Sequence, residues 1–307
     1  MASSAEVLQF EPTDFPALFQ AANRASVRAQ ASYFRVLQAE MYALILGALL
    51  GAIGSLDRVA FGNTTFGELA LIGSMLALLL GLSIALISRQ RRFEEQWFNC
   101  RAISETVKSL SWRYMARAAP LQQNSLKDAD AAFGSAIADI IQDWKDRVSL
   151  AAEDVASPQR TAKMRATRES PFEARLNAYR VGRLIDQQRW YSRRAREHDR
   201  SETRWFGLAS LAQVAAVAIA VLTLAFPHFF KVRPVGVAAT VASAAFAWSK
   251  GKRFRELSSA YSLAAQELAV AEGDAEHVSN DAELAELVQE VEERTSREHT
   301  TWRARSG

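Results

Sequence analysis

The stretch Trp205–Phe226, WFGLASLAQVAAVAIAVLTLAF, carries no charged residue. It is about 22 residues long, close to the roughly 20 that a helix needs to cross the hydrocarbon of a bilayer. Core helices of water-soluble proteins rarely stay uncharged on every face for so many turns, because one face normally meets solvent. The stretch therefore reads as a transmembrane helix, and the rest of the chain is placed by reference to it.

Three further apolar runs accompany it. The first, over 41–57, is short for a span; the second runs over 68–88 and the fourth over 234–250. Gly62, Asn63, Thr64 and Thr65 make a turn between the first two, and Pro227 and Pro234 bracket a turn between the last two. Two apolar helices joined by a short turn form a helical hairpin, in which each helix satisfies its own backbone in lipid. The predicted fold is all-α: an integral membrane protein with two transmembrane hairpins and long polar helical arms. The arms take the same place in each half, before and after the hairpin, so the chain is an internal duplication of architecture. Residues 1–14 read as a leader, 15–160 as the first unit, 161–170 as a basic linker between Pro158 and Pro171, and 171–307 as the second unit.

Of the 307 residues, 49% are hydrophobic and 23% charged, and the charge is concentrated beside the apolar runs. Arg24, Arg28 and Arg35 precede the first run, and Arg89, Arg91 and Arg92 follow the second. Arg193, Arg194, Arg196, Arg200 and Arg204 precede the third, and Lys250, Lys252, Arg253 and Arg255 follow the fourth. The positive-inside rule then places the N-terminus, the middle segment and the C-terminus in the cytoplasm of a multi-pass inner-membrane protein. Lys231 and Arg233 at the second hairpin tip run mildly against this. The single Cys100 excludes an intramolecular disulfide framework. The N-terminus lacks the basic and apolar regions of a cleavable signal peptide.

The residues suggest no catalysis. The four histidines are scattered, with no metal-ligand spacing, and no glycine-rich phosphate loop or Walker-type motif occurs. No metal, cofactor or nucleic acid polymer is expected. Small residues in the spans carry more information: Gly47 and Gly51 form a GxxxG, and Gly73, Ala77 and Gly81 recur at four-residue spacing. Such residues let helix backbones approach closely, either within one hairpin or between protomers of a homo-oligomer. Polar residues inside the spans are Ser74, Ser83, Ser210, Gln213, Thr240 and Ser243. They either bond between helices or line a water-filled path through an oligomer. Arginines beside the membrane suit anionic lipid heads. Arg101, Arg113, Arg180 and Arg183 lie farther out, where they are able to bind a ligand or pair between helices.

The stretch RAISETVKSLSWRYMARAAP (101–120) resembles a signature of the SLATT domains, the SMODS- and SLOG-associating two-transmembrane effector domains. YRVGRLIDQQRWYSRRA (179–195) and TSREHTTWRAR (295–305) are similar to parts of a second SLATT subfamily. The resemblance covers nearly the whole chain, as a tandem of two units. It carries over Arg101, Glu105, Trp112, Arg113 and Tyr114 in the first unit. In the second it carries over Tyr179, Arg180, Asp186, Gln187, Trp190, Tyr191, Arg297, Glu298, His299 and Trp302. It implies a pore-forming membrane effector of bacterial antiphage conflict systems, triggered by a nucleotide second messenger or a cytosolic sensor protein. These residues would then serve coupling or assembly. A non-conducting oligomeric scaffold that recruits cytosolic partners is the alternative reading.

Overall fold

The computed structural model describes residues 10–54, 60–61, 64–148, 150, 158–226 and 234–304; for 60, 61, 64, 89 and 296–304 it describes the backbone only. Helix α1 (Ala17–Ile53) runs unbroken through the polar stretch and the first apolar run. A two-residue antiparallel ladder, Ala60–Phe61 with Thr64–Thr65, follows it at the hairpin tip. Helix α2 (Phe66–Arg91) starts there on a capping box, in which the Thr65 hydroxyl accepts from Glu68 N at 3.2 Å and the Glu68 carboxylate accepts from Thr65 N at 2.9 Å. Helices α3 (Phe93–Ala116), α4 (Leu126–Trp144) and α5 (Ala162–Glu169) complete the first half. The second half has α6 (Phe172–Tyr179), a π-helical turn (Arg180–Ile185), α7 (Asp186–Ala225), α8 (Val235–Lys252), α9 (Phe254–Asp274) and α10 (Asp281–Ala304). Among the described residues the fold is all-helical apart from the short ladder.

Among the described residues, three helical stretches are long and apolar enough to cross a membrane: Ala17–Ile53, Phe66–Ala116 (its apolar part being α2) and Phe172–Ala225. The fourth expected span falls on α8, which is 18 residues long and already carries Lys250 and Lys252 in its last turn. The Phe172–Ala225 stretch of 54 residues joins α6, the π-turn and α7 without a break.

Two features of the chain differ from expectation. The segment 161–170 was expected to be a linker, but it folds as helix α5, with the Thr161 hydroxyl accepting from Met164 N at 3.2 Å and Ser170–Pro171 closing its far end. Met164 and Arg168 of that helix are buried. The polar arm after the second apolar run does not continue that run's helix: the chain turns at Arg92, whose backbone is left-handed (φ 46°). Arg253, between α8 and α9, is left-handed in the same way (φ 50°). The two joints read RRFEE (91–95) and KRFRE (252–256), so the duplication survives in residues where the second apolar helix of each hairpin ends. Non-glycine residues rarely adopt this conformation, which makes the shared arginine a specific backbone feature.

Packing divides the chain into two compact units that each take segments from both halves. The arm unit comprises the described parts of Met1–Gln30, Glu94–Arg194 and Ala260–Gly307; the span unit comprises those of Ala31–Phe93 and Ala195–Ser259. Within the arm unit the core gathers Phe15, Leu18, Val107, Trp112, Tyr114, Phe133, Met164, Tyr179, Leu184, Leu284 and Val288. The end of the expected leader joins it. Phe10 lies 4.8 Å from Trp112, centroid to centroid, and the Asp14 carboxylate accepts from Lys163 Nζ at 2.7 Å.

Within the span unit, α1 and α2 form the first hairpin. A Cβ built on Gly47 would come within 2.9 Å of Leu78, on Gly51 within 3.3 Å of Ser74 Oγ, on Gly73 within 3.2 Å of Leu50, and on Gly81 within 3.4 Å of Ala43. Ala77 is buried on the same face of α2. These small residues thus stand between the two helices of one hairpin. Ser74 Oγ donates across it to the Gly47 carbonyl at 2.7 Å. In the same unit Trp248 of α8 meets Phe34 at 5.9 Å and Trp205 at 5.9 Å, while Lys252 Nζ sits 3.3 Å above the Phe34 ring.

Candidate functional site

Helix α3 places Arg101, Glu105, Lys108 and Trp112 at spacings of four, three and four, on one face. Arg101 and Glu105 pair along the helix at 2.6 Å. Opposite this face, the π-turn after α6 presents Gly182 and Arg183. Its wider winding is a common feature of functional helix segments. Gly182 lies against the Trp112 ring so closely that a Cβ would come within 2.8 Å of it and 2.9 Å of Phe10. Only glycine fits that approach. Tyr179, one turn earlier, meets Trp112 edge-on at 5.7 Å.

The centre of the site is a buried ion pair. Glu292 of α10 and Arg183 are 0% and 1% exposed. Arg183 donates through Nε (2.8 Å) and Nη2 (2.6 Å) to the two carboxylate oxygens, and the Tyr179 hydroxyl donates to Oε1 at 3.2 Å. This fork geometry is the strongest form of such a pair. With the Gln187 carboxamide turned so that its oxygen accepts, Arg183 Nη1 and Lys108 Nζ both reach it at 3.1 Å. Lys108 also lies 5.7 Å over the Phe15 ring. Burial, then the positive charge of Arg183, lowers the Lys108 pKa to about 8 against the pull of Glu105. Burial and the Glu292 charge push the Tyr179 hydroxyl well above its ordinary value, so it donates throughout the neutral range.

Further ion pairs surround this centre. Arg175 pairs with Asp281, and Arg180 with Glu272 at 2.6 Å and Glu276 at 3.3 Å. Trp190, Tyr191 and Tyr261 form an aromatic triangle with centroids 5.0–5.5 Å apart. A second cluster lies around Tyr114, whose hydroxyl donates to Asp130 at 2.6 Å. Burial opposes ionisation of Asp130, but the hydrogen bonds from Tyr114 and Arg165 hold its carboxyl below the usual range. Arg168 closes this cluster by donating to the carbonyls of Tyr114 (2.6 Å), Leu121 (2.9 Å) and Gln123 (2.6 Å).

The structure therefore brings Glu105, Trp112, Tyr179, Gln187 and Tyr191 together within the arm unit, with Arg101 and Arg180 on its flank. Tyr114 belongs to the second cluster, and Arg113 donates to the Ala119 carbonyl at 3.2 Å, at the end of α3. Asp186 is exposed at the start of α7. The side chains of Arg297, Glu298, His299 and Trp302 lie outside the described residues. Glu292, Lys108, Gly182, Asp130 and Arg168 were missed from sequence. Glu292 had a usable signal: it falls four residues after Val288 and eight after Leu284, both buried, so its carboxylate sits at a core-facing position that demands a buried cation. Among the described residues no group of His, Cys, Asp and Glu could hold a metal ion.

Two family models match the chain in tandem: SMODS and SLOG-associating 2TM effector domain 3 over residues 16–176, and SMODS and SLOG-associating 2TM effector domain 1 over residues 179–302. The chain is a tandem SLATT protein. No curated protein and no solved structure matches it. SLATT domains are two-transmembrane effector domains associated with conflict systems, which agrees with the three membrane-length helices. The boundary between the two SLATT matches falls at 177–178, inside α6, yet the Arg183–Glu292 network packs against α3 of the other match. Each SLATT half is thus completed by the other in the arm unit.

In the span unit, Ser83, Thr223 and Thr240 donate to carbonyls of their own helices: Leu79, Ile219 and Gly236, at 2.7–2.8 Å. Ser243 is exposed on α8 and Ser210 half-buried on α7. Gln213 is exposed in the middle of the third apolar run.

Proposed function

We propose that this SLATT tandem is a membrane effector of a bacterial antiphage system, which oligomerises and breaches the inner membrane when a signal reaches its arms. The arms stand in the cytoplasm, where the positive-inside rule puts their arginines. The observation that carries the reading is the buried Arg183–Glu292 pair, which ties both SLATT halves into one arm unit through Tyr179, Gln187 and Lys108. A buried pair adds little net stability over an apolar packing of the same volume, but losing one partner is costly, so it suits a switch.

The signal acts by competing for that network. A phosphate-bearing second messenger offers the Arg183 fork the same bidentate partner that Glu292 provides. A sensor protein docking on the arms would reach the same end by moving α10. Either way the arm unit loses its ordered packing and the spans are released to assemble. One chain supplies too few spans to enclose water, so conduction needs several copies.

The test is leakage of dye and ions from vesicles carrying the purified protein, with and without cyclic oligonucleotides. Ligand-dependent leakage supports the effector. Tight vesicles under every condition, with the protein inserted and oligomeric, would replace it by the non-conducting scaffold.

A further inference from the structure

Helix α7 carries two stripes through its apolar run. Ala209 and Ala216, seven residues apart, are buried against the rest of the span unit. Turned roughly 70° from them is a second stripe at alternating spacings of four and three: Phe206, Ser210, Gln213, Val217, Ala220 and Leu224. Apart from the half-buried Ser210 it is exposed, with Phe206 57%, Val217 59% and Leu224 85% exposed. The spacing is that of a coiled-coil seam, and the seam carries one carboxamide.

Gln213 lies about 4 Å along the helix axis from the midpoint of Trp205–Phe226, too deep for its short side chain to reach headgroups. The serine and threonine hydroxyls of the spans can be satisfied by their own helix, as Ser83, Thr223 and Thr240 are. A carboxamide has two donors and an acceptor, and Gln213 forms no hydrogen bond among the described residues. In hydrocarbon such a group needs a partner.

We infer that the Phe206–Leu224 stripe is the contact between protomers, and that its partner is the same stripe of a second copy, with Gln213 bonded to Gln213. Copies inserted with one orientation bring the same residue to the same depth, and two carboxamides each donate and accept across a two-fold axis. The small side chains of Ser210 and Ala220, on either side, allow the close approach such a bond requires. This rests on the oligomeric effector reading and names one surface of that assembly, the one that pairs its copies two by two.

The test is a cysteine scan in vesicles of phosphatidylethanolamine and phosphatidylglycerol, on a Cys100→Ser background. Gln213→Cys, Val217→Cys and Ala220→Cys should give oxidised dimers at least about fivefold more readily than Leu211→Cys, Ala218→Cys and Leu222→Cys on the opposite flank. By energy transfer between labelled copies, Gln213→Leu should weaken association about three- to tenfold, and Gln213→Asn should keep most of it. Leucine suits the span, so insertion is not at risk. Dimers formed equally from both flanks, or unchanged association in Gln213→Leu, would overturn the seam. If association persists through another face and the vesicles still leak, the effector reading stands and the seam alone fails. A monomer in every vesicle sinks both.

Discussion

The two units solve the same problem, helix against helix, in opposite ways. The arm unit is fixed by directional contacts: a forked Arg183–Glu292 pair, a glycine fitted to a tryptophan ring, and arginine caps on carbonyls. The span unit is fixed by closeness, with glycines and alanines facing one another across the first hairpin and one cross-helix hydrogen bond from Ser74. The difference follows from the two solvents. In water, burial of apolar area drives association and charge has to be matched inside. In lipid there is no such drive between helices, and small-residue packing takes its place. An arm unit held by matched charges can be undone by a change of charge or ligand. A close-packed hairpin cannot.

The largest expected effect is on the arm unit. Glu292→Gln leaves Arg183 buried without its counter-charge and should cost about 3–5 kcal/mol, read as loss of protease resistance in residues 94–194. The double substitution Arg183→Met with Glu292→Leu should restore most of it; a double variant as weak as the single one would remove the ion pair from the account. Gly182→Ala drives a methyl into Trp112 and Phe10 and should cost about 1–3 kcal/mol, measured by thermal unfolding of the detergent-solubilised protein.

A smaller effect concerns pH. The Lys108 pKa falls from 10.5 free to about 8 folded, so below pH 8 both states hold the proton and the burial cost is fully present. Between about pH 8 and 10 the unfolded chain holds a proton the folded one has lost, and stability rises with pH. Wild type should gain roughly 2–4 °C in melting temperature across this window, and Lys108→Met should flatten the rise. The smallest effect is in the spans: Ser74→Ala should weaken the first hairpin by about 0.6 kcal/mol, seen as slightly faster exchange in α1. A loss as large as that of Glu292→Gln would erase the contrast between the units.

Spans and arms were legible because hydrocarbon and water select different residues along a helix. The aromatic positions Trp112, Tyr179 and Tyr191 were legible through their resemblance to SLATT signatures. The Pro-bounded 161–170 segment was not, because its helix is stabilised by contacts such as Arg168 with three carbonyls far away in sequence. Charged residues read locally as solvated, which hid the core roles of Glu292 and Arg168. The left-handed arginines of the two joints leave no trace in hydropathy and show only when the halves are compared by structure.

The central claim is that the arm network restrains the spans. It is tested most directly by leakage from vesicles of Glu292→Gln beside wild type, without any ligand, at equal protein incorporation. The account predicts that wild-type vesicles stay tight, that Glu292→Gln vesicles leak, and that Arg183→Met with Glu292→Leu restores tightness. Tight vesicles with Glu292→Gln, once the arm unit is shown to have loosened, would contradict it.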